Sequence, residues 1–201
     1  MKKLLNIFLL FCFIFDGYSQ NFKDRKDIKT YQGYFNFYYD EGKDKIFIEV
    51  DKLNTEFLYV NSLSEGIGSN DIGLDRGQLG NERVVKFQKA GNKLLLIQPN
   101  QDYRAITNNF EERKSVEQAF AKSILSGFTI KKKEGDAYLI DATDFFMQDV
   151  HGVISRLQSN KQGTYSLDKS KSAFSLERTK AFPKNIEFDV MLTFKGTPKG
   201  S

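Results

Sequence analysis

Three short glycine-containing turns set the fold class of this chain, because each joins two strand-like runs too closely for anything but an antiparallel hairpin. Tyr34 to Tyr39 and Lys45 to Val50 flank Asp40-Glu41-Gly42-Lys43-Asp44. Arg83 to Lys89 and Lys93 to Gln98 flank Ala90-Gly91-Asn92, and Ser123 to Lys131 and Ala137 to Asp141 flank a charged end around Gly135. Phe35, Phe37 and Tyr39 alternate with Tyr34 and Tyr38, so both faces of that strand are expected to be at least half covered. Leu94-Leu95-Leu96-Ile97 has no polar face, which places it at the centre of a sheet. Phe57 to Leu63 reads as a further strand. Two long strands, Ala173 to Phe182 and Ile186 to Phe194, meet at Pro183-Lys184-Asn185; Ile186, Phe188, Val190, Leu192 and Phe194 point inward, and Glu187, Asp189 and Thr193 outward.

Helical spacing is sparser. Phe146, Val150, Val153, Ile154 and Leu157 predict one helix over Thr143 to Leu157, with Asp144 near its positive end. Ser115 followed by Gln118 reads as a capping box opening a second, short helix with Val116, Ala119 and Phe120 inward. The expected architecture is α+β and β-rich: a mainly antiparallel sheet built of hairpins, with two helices, in one domain over 34–195.

Residues 1–19 have the form of a secretory signal peptide. Lys2 and Lys3 precede an uncharged, mostly apolar run from Leu4 to Phe15, and Gly17-Tyr18-Ser19 offers small residues for cleavage before Gln20. Twelve apolar residues span roughly 18 Å as a helix, short of the ~30 Å hydrocarbon core, so no permanent membrane anchor is expected. Bulky Phe11 before Cys12 argues against a lipobox. The expected location is periplasmic or extracellular. Cleavage also removes Cys12, the single cysteine, so the mature chain has no disulfide, Cys-ligated zinc or cysteine nucleophile. Residues 20–33 form a polar lead-in, and 196–201 a turn-rich linker or truncated end. Basic and acidic residues (30 and 26) interleave almost everywhere, which argues against a nucleic-acid partner.

The longest connection, Gly66 to Gly80, holds five of the fifteen glycines together with Ile72 and Leu74. Such a loop is folded and turns sharply several times, with glycine supplying the positive φ values. Gly66-Ile67-Gly68 begins like a dinucleotide fingerprint, but Asp71 stands where the third glycine belongs. Asp71, Asp75 and Asn70 carry oxygen ligands for calcium, yet Arg76 and Gln78 break the EF-hand spacing that would end at Glu82. Asp71, Asp75, Arg76 and Gln78 are instead the candidate residues of an interface or substrate-cleft loop.

Elsewhere the chemistry is thin. His151 is the only histidine and cannot complete a three-ligand zinc site; a structural role is expected. No Gly-x-Ser-x-Gly segment is present. Asp141, Asp144 and Asp149 invite comparison with a glycosidase pair, but acids at a helix start are accounted for by capping and the helix dipole. Tyr31, Tyr34, Tyr38 and Tyr39 would stack sugars if exposed, although packing is the ordinary fate of strand aromatics.

An ordered series of segments carries a family likeness: Phe57-Leu58-Tyr59-Val60-Asn61-Ser62-Leu63, Gly73-Leu74-Asp75-Arg76-Gly77-Gln78, Val84-Val85-Lys86-Phe87, Leu94-Leu95-Leu96, Tyr103-Arg104-Ala105, Ser123-Ile124-Leu125, Asp141-Ala142-Thr143-Asp144-Phe145-Phe146 and Ala181-Phe182-Pro183-Lys184-Asn185. The chain resembles the N-terminal domain, of unknown function, of secreted bacterial zinc-dependent metalloproteases. In that family the zinc ligands and the general-base glutamate lie in a later domain carrying His-Glu-x-x-His, a segment not among these 201 residues. The resemblance therefore implies a non-catalytic fragment of a metallopeptidase. It implies no cofactor in this chain, with zinc only in the catalytic domain, which is the implied partner. The alternative is a stand-alone exported binding module for a glycan or an envelope partner.

Overall fold

The computed structural model describes residues 22–67 and 71–199; the leader assigned to 1–19 and Asn70 lie outside them. The lead-in is not coil throughout. After a 3₁₀ turn at Phe22–Asp24 it supplies an edge strand, β1 (Ile28–Tyr31), paired with β2 (Asn36–Asp40). There follow β3 (Lys45–Val50), β4 (Phe57–Tyr59), β5 (Arg83–Ala90), β6 (Lys93–Gln98), β7 (Ser123–Glu134) and β8 (Ala137–Asp141). They form one antiparallel eight-stranded sheet in the order β1-β2-β3-β8-β7-β6-β5-β4. All three expected hairpins are present, and the fold is α+β and β-rich as the pattern implied. Leu94 and Leu96 face the core, Ile97 is buried as well, and the register with β7 shifts between Leu96 and Ile97.

The sheet curls around its main core. Phe37, Tyr39, Ile46, Ile48, Val50 and Ile140 meet Val85, Phe87, Leu94, Leu96 and Phe128 there. Phe35 stands edge-on to both Phe57 and Phe87 (5.4 and 5.7 Å between centroids), joining the start of β2 to β4 and β5 across the concave face. On the opposite face Tyr38 and Leu139 are covered by Ile28, Phe22 and Phe47, so the lead-in acts as a flap over the second side of the sheet. Asp40, fully buried at the end of β2, faces Arg25 at 3.4 Å and Lys43 at 4.0 Å.

The helices depart from expectation. The stretch Thr143 to Leu157 is broken into α2 (Thr143–Phe146) and α3 (Val153–Ser159). Two local choices interrupt it: Gly152 is left-handed (φ 68°), and the Asp149 carboxylate accepts the N–H groups of Val153 and Ile154, both at 2.8 Å. The other helix, α1 (Phe110–Ala119), begins earlier than the Ser115 signal implied. Asn109 is its N-cap and accepts from the Glu111 N–H, and none of its residues is buried; Ala119 and Phe120 are exposed and Val116 only half-buried. Ser115 sits mid-helix, where nothing needs a cap.

The two long closing strands are likewise segmented, and they gain a partner that the pattern did not show. β9 (Gly163–Leu167), β10 (Ala173–Phe174), β11 (Lys180–Phe182), β12 (Asn185–Glu187), β13 (Val190–Met191) and β14 (Phe194–Pro198) pair as β9·β14, β10·β13 and β11·β12. This nesting makes one ribbon from Gly163 to Pro198 that turns at Pro183-Lys184. The expected alternation holds on it: Ile186, Phe188, Val190 and Leu192 pack on the main core. At the tip, the Tyr34 N–H donates to the Phe182 carbonyl at 2.8 Å, tying the ribbon across the concave face. Residues 196–198, expected as part of a linker or truncated end, are strand. Among the described residues no helix is long and apolar enough to cross a membrane.

Candidate functional site

Beyond β4 the chain keeps pairing with the segment that leads into β5. The Gly80 N–H donates to the Asn61 carbonyl (2.7 Å), Leu63 N–H to Gln78 (3.0 Å) and Gly77 N–H to Leu63 (2.7 Å). The glycine loop hangs from this two-stranded stem. Gly73 and Gly77 adopt φ of 62° and 80°, so glycine is needed at both for its backbone freedom. Ile72 and Leu74, on either side of Gly73 and both buried, form a satellite core with Val153, against which Leu63, Ile67, Leu157 and Phe194 pack. Helix α3 then fastens the backbone. Arg156 Nη1 donates to the Ile72 carbonyl (2.9 Å) and Asn160 Nδ2 to the Asp71 carbonyl (3.3 Å). The loop is thus a folded element anchored by its apolar side chains.

The four candidate loop residues are all exposed, but they divide. Asp71 turns toward the end of α3, where its carboxylate accepts from Gln162 at 3.4 Å, so it belongs to the anchorage. Asp75 and Gln78 close a tight turn on each other: Asp75 N–H donates to Gln78 Oε1 and Gln78 N–H to the Asp75 carbonyl, both at 3.1 Å. Arg76 occupies the outward corner of that turn. Among the described residues no three His, Asp or Glu side chains converge as a metal-holding group.

Sequence inspection missed the apolar stripe beside this turn. Leu58, Val60 and Ser62 alternate along one strand of the stem and so share a face, and Leu79 lies opposite Ser62 on that face. Leu58 is 63% exposed, Val60 43% and Leu79 60%. The other face carries Phe57 and Tyr59, packed on the main core, and Asn61, whose Nδ2 lies 3.3 Å from His151 Nε2. His151 therefore tethers the stem to the connection before α3. Alternation alone puts two apolar residues, Leu58 and Val60, on the side away from the core, and that is the available signal.

The other candidates are structural. Asp149 caps α3, as described. Asp141 accepts from Thr143 N–H (3.1 Å) and Lys45 Nζ (2.9 Å); burial works against its charge, but these partners hold its carboxyl below the usual carboxylate range. Asp144 is exposed and paired with Lys169 at 2.6 Å. Of the four tyrosines, Tyr38 and Tyr39 are buried, while Tyr31 and Tyr34 pack against the main core. They do not form an exposed stacking platform, because the sheet is covered on both faces at that point.

A family model described as a domain of unknown function (DUF5117) matches residues 77–201, more than half of the chain. The chain belongs to that family. A second domain of unknown function, DUF5118, matches residues 17–66. No curated protein and no solved structure matches the chain. The glycine loop spans the junction between the DUF5118 and DUF5117 regions. The two regions nevertheless share one sheet: β3 from the first pairs with β8 from the second, and β4 from the first with β5.

Proposed function

We propose that the chain is the non-catalytic N-terminal part of an exported zinc-dependent metallopeptidase, which packs on and supports the catalytic domain. The observation that carries this reading is the exposed stripe Leu58, Val60 and Leu79 beside the Asp75–Gln78 turn. A stripe of this kind, rimmed by polar groups and held rigid from behind, has the make-up of a protein-docking surface. Leu58 and Val60 lie in the segment Phe57 to Leu63, and the turn lies in Gly73 to Gln78, two of the segments that carry the resemblance to metalloprotease N-terminal domains; Leu79 follows directly. In this assignment Arg76 reaches the partner at the rim, Asp75 and Gln78 hold its turn, and Asp71 holds the loop to α3. Zinc and the residues that ligate it belong to the partner domain.

The test is to express the open frame that contains this chain and assay zinc-dependent peptide cleavage, with Leu58→Asp and Leu79→Asp introduced singly. Each variant is expected to loosen the docked domain and lower activity at least about tenfold. Full activity in both variants, or a frame that encodes no His-Glu-x-x-His segment, overturns the proposal. Zinc-dependent cleavage by the 201-residue chain alone contradicts its non-catalytic role.

A further inference from the structure

Helix α1 stands outside every core of the molecule. It rises from the connection between β6 and β7, and none of its ten residues is buried. Around it Ile106 is 99% exposed, Phe110 61% and Tyr103 57%. Isolated helices shorter than about 12–15 residues are marginal in water, because tertiary packing supplies most of a helix's stability. At 100° per residue, Phe110, Arg113 and Glu117 fall within an arc of about 60° on one face, and Phe120, the extended C-cap residue, ends the helix. That face is self-complementary about Ser115. Turned antiparallel against a copy of itself, it sets Phe110 opposite Phe120 and Arg113 opposite Glu117, each pair occurring twice.

We propose that this face is a two-fold interface between two copies of the chain. The charge pattern specifies a second copy, because a two-fold axis brings the same patch to both sides and satisfies both cross pairs at once. Among the described residues no ion pair joins Arg113 to Glu117 within one helix, although they are four apart. Arg113 donates from one nitrogen to the Thr107 carbonyl at 2.7 Å, which leaves further donors of its guanidinium for a carboxylate. Phe120 is backed by Tyr103, stacked on it at 4.0 Å, and so presents a stiffened aromatic surface. Phe110 and Phe120, with Tyr103 stacked on the latter, supply the apolar part of that face. This interface lies on other residues than the Leu58–Leu79 stripe and stands or falls separately from it.

Sedimentation velocity of the purified full chain over a concentration series tests it. The wild type is expected to show a concentration-dependent monomer–dimer equilibrium. Arg113→Glu and Glu117→Arg, each setting like charges across the axis, are expected to raise the dissociation constant at least about tenfold. The double reversal R113E/E117R restores both cross pairs and is expected to recover wild-type association. Far-UV circular dichroism reports that each variant keeps its fold. A wild type that stays monomeric throughout, single reversals without effect, or a double variant as weak as the singles overturns the proposal; in the first case the face belongs to a different partner.

Discussion

At the scale of single residues, long-range polar pairs stabilise this fold, and they are the part least visible in the sequence. Asp40 is fully buried and neither of its carboxylate oxygens has a hydrogen-bond partner among the described residues; Arg25 and Lys43 are its nearest counter-charges. Removing Arg25 leaves that buried charge with Lys43 alone, at 4.0 Å, so Arg25→Met is expected to lower Tm by more than about 5 °C, and adding Asp40→Asn is expected to recover much of the loss. Calorimetry of the two variants checks this. Tyr39 gives a titration prediction. Burial, with Asp44 accepting its hydroxyl proton at 2.8 Å, pushes the phenol up to about 12. The folded state then holds a proton that the unfolded chain releases near its ordinary value of about 10. Stability is therefore expected to fall as the pH rises from about 10 to about 12. Tyr39→Phe is expected to flatten that slope in urea titrations across the range; an unchanged slope contradicts the assignment. Alternation puts Tyr39 on one face with Phe35 and Phe37 from the sequence alone, with both faces expected to be at least half covered, whereas pairs such as Asn61 with His151, 90 positions apart, leave no local trace.

At the scale of elements, what was legible followed from period and turn chemistry. The three hairpins, the central Leu94 to Ile97 run and the inward row from Ile186 to Phe194 each repeat over enough residues for the two-residue period to show. The stretch from Thr143 to Leu157 misled because its apolar residues fit a helical stripe, while Gly152 and Asp149 favour local alternatives to a continuous helix. β9 was hidden because Gly163 to Leu167 is short and polar; the return of β14 alone makes it a strand. The loop was legible as folded, but its anchor was not, since Ile72 and Leu74 meet a helix some 80 positions later. Asp149→Ala removes the cap of α3 and is expected to cost about 1 kcal/mol in urea unfolding. It is also expected to speed amide exchange at residues 71–78, because α3 holds that backbone. Unchanged exchange there would show that the apolar anchor suffices without the cap.

At the scale of the whole molecule, two regions matched by different family models build one folded unit. Residues 22–66 supply β1 to β4 and six of the fifteen buried residues of the main core, including Phe37, Ile46 and Val50, all fully buried. Residues 20–66 and 77–201 expressed separately are expected not to unfold cooperatively, since each would expose apolar surface worth ~25 cal/mol per Å². Mixing them is expected to restore a cooperative transition, observable by circular dichroism; a cooperative 77–201 piece alone would contradict this unity. We propose that this unit supports a metallopeptidase domain through the stem of the glycine loop. The most direct test is calorimetric titration of the purified chain with the His-Glu-x-x-His-bearing domain expected in the same open frame. The expected result is a one-to-one complex that Leu79→Asp weakens at least about tenfold. No binding, or binding indifferent to Leu79→Asp, would contradict it.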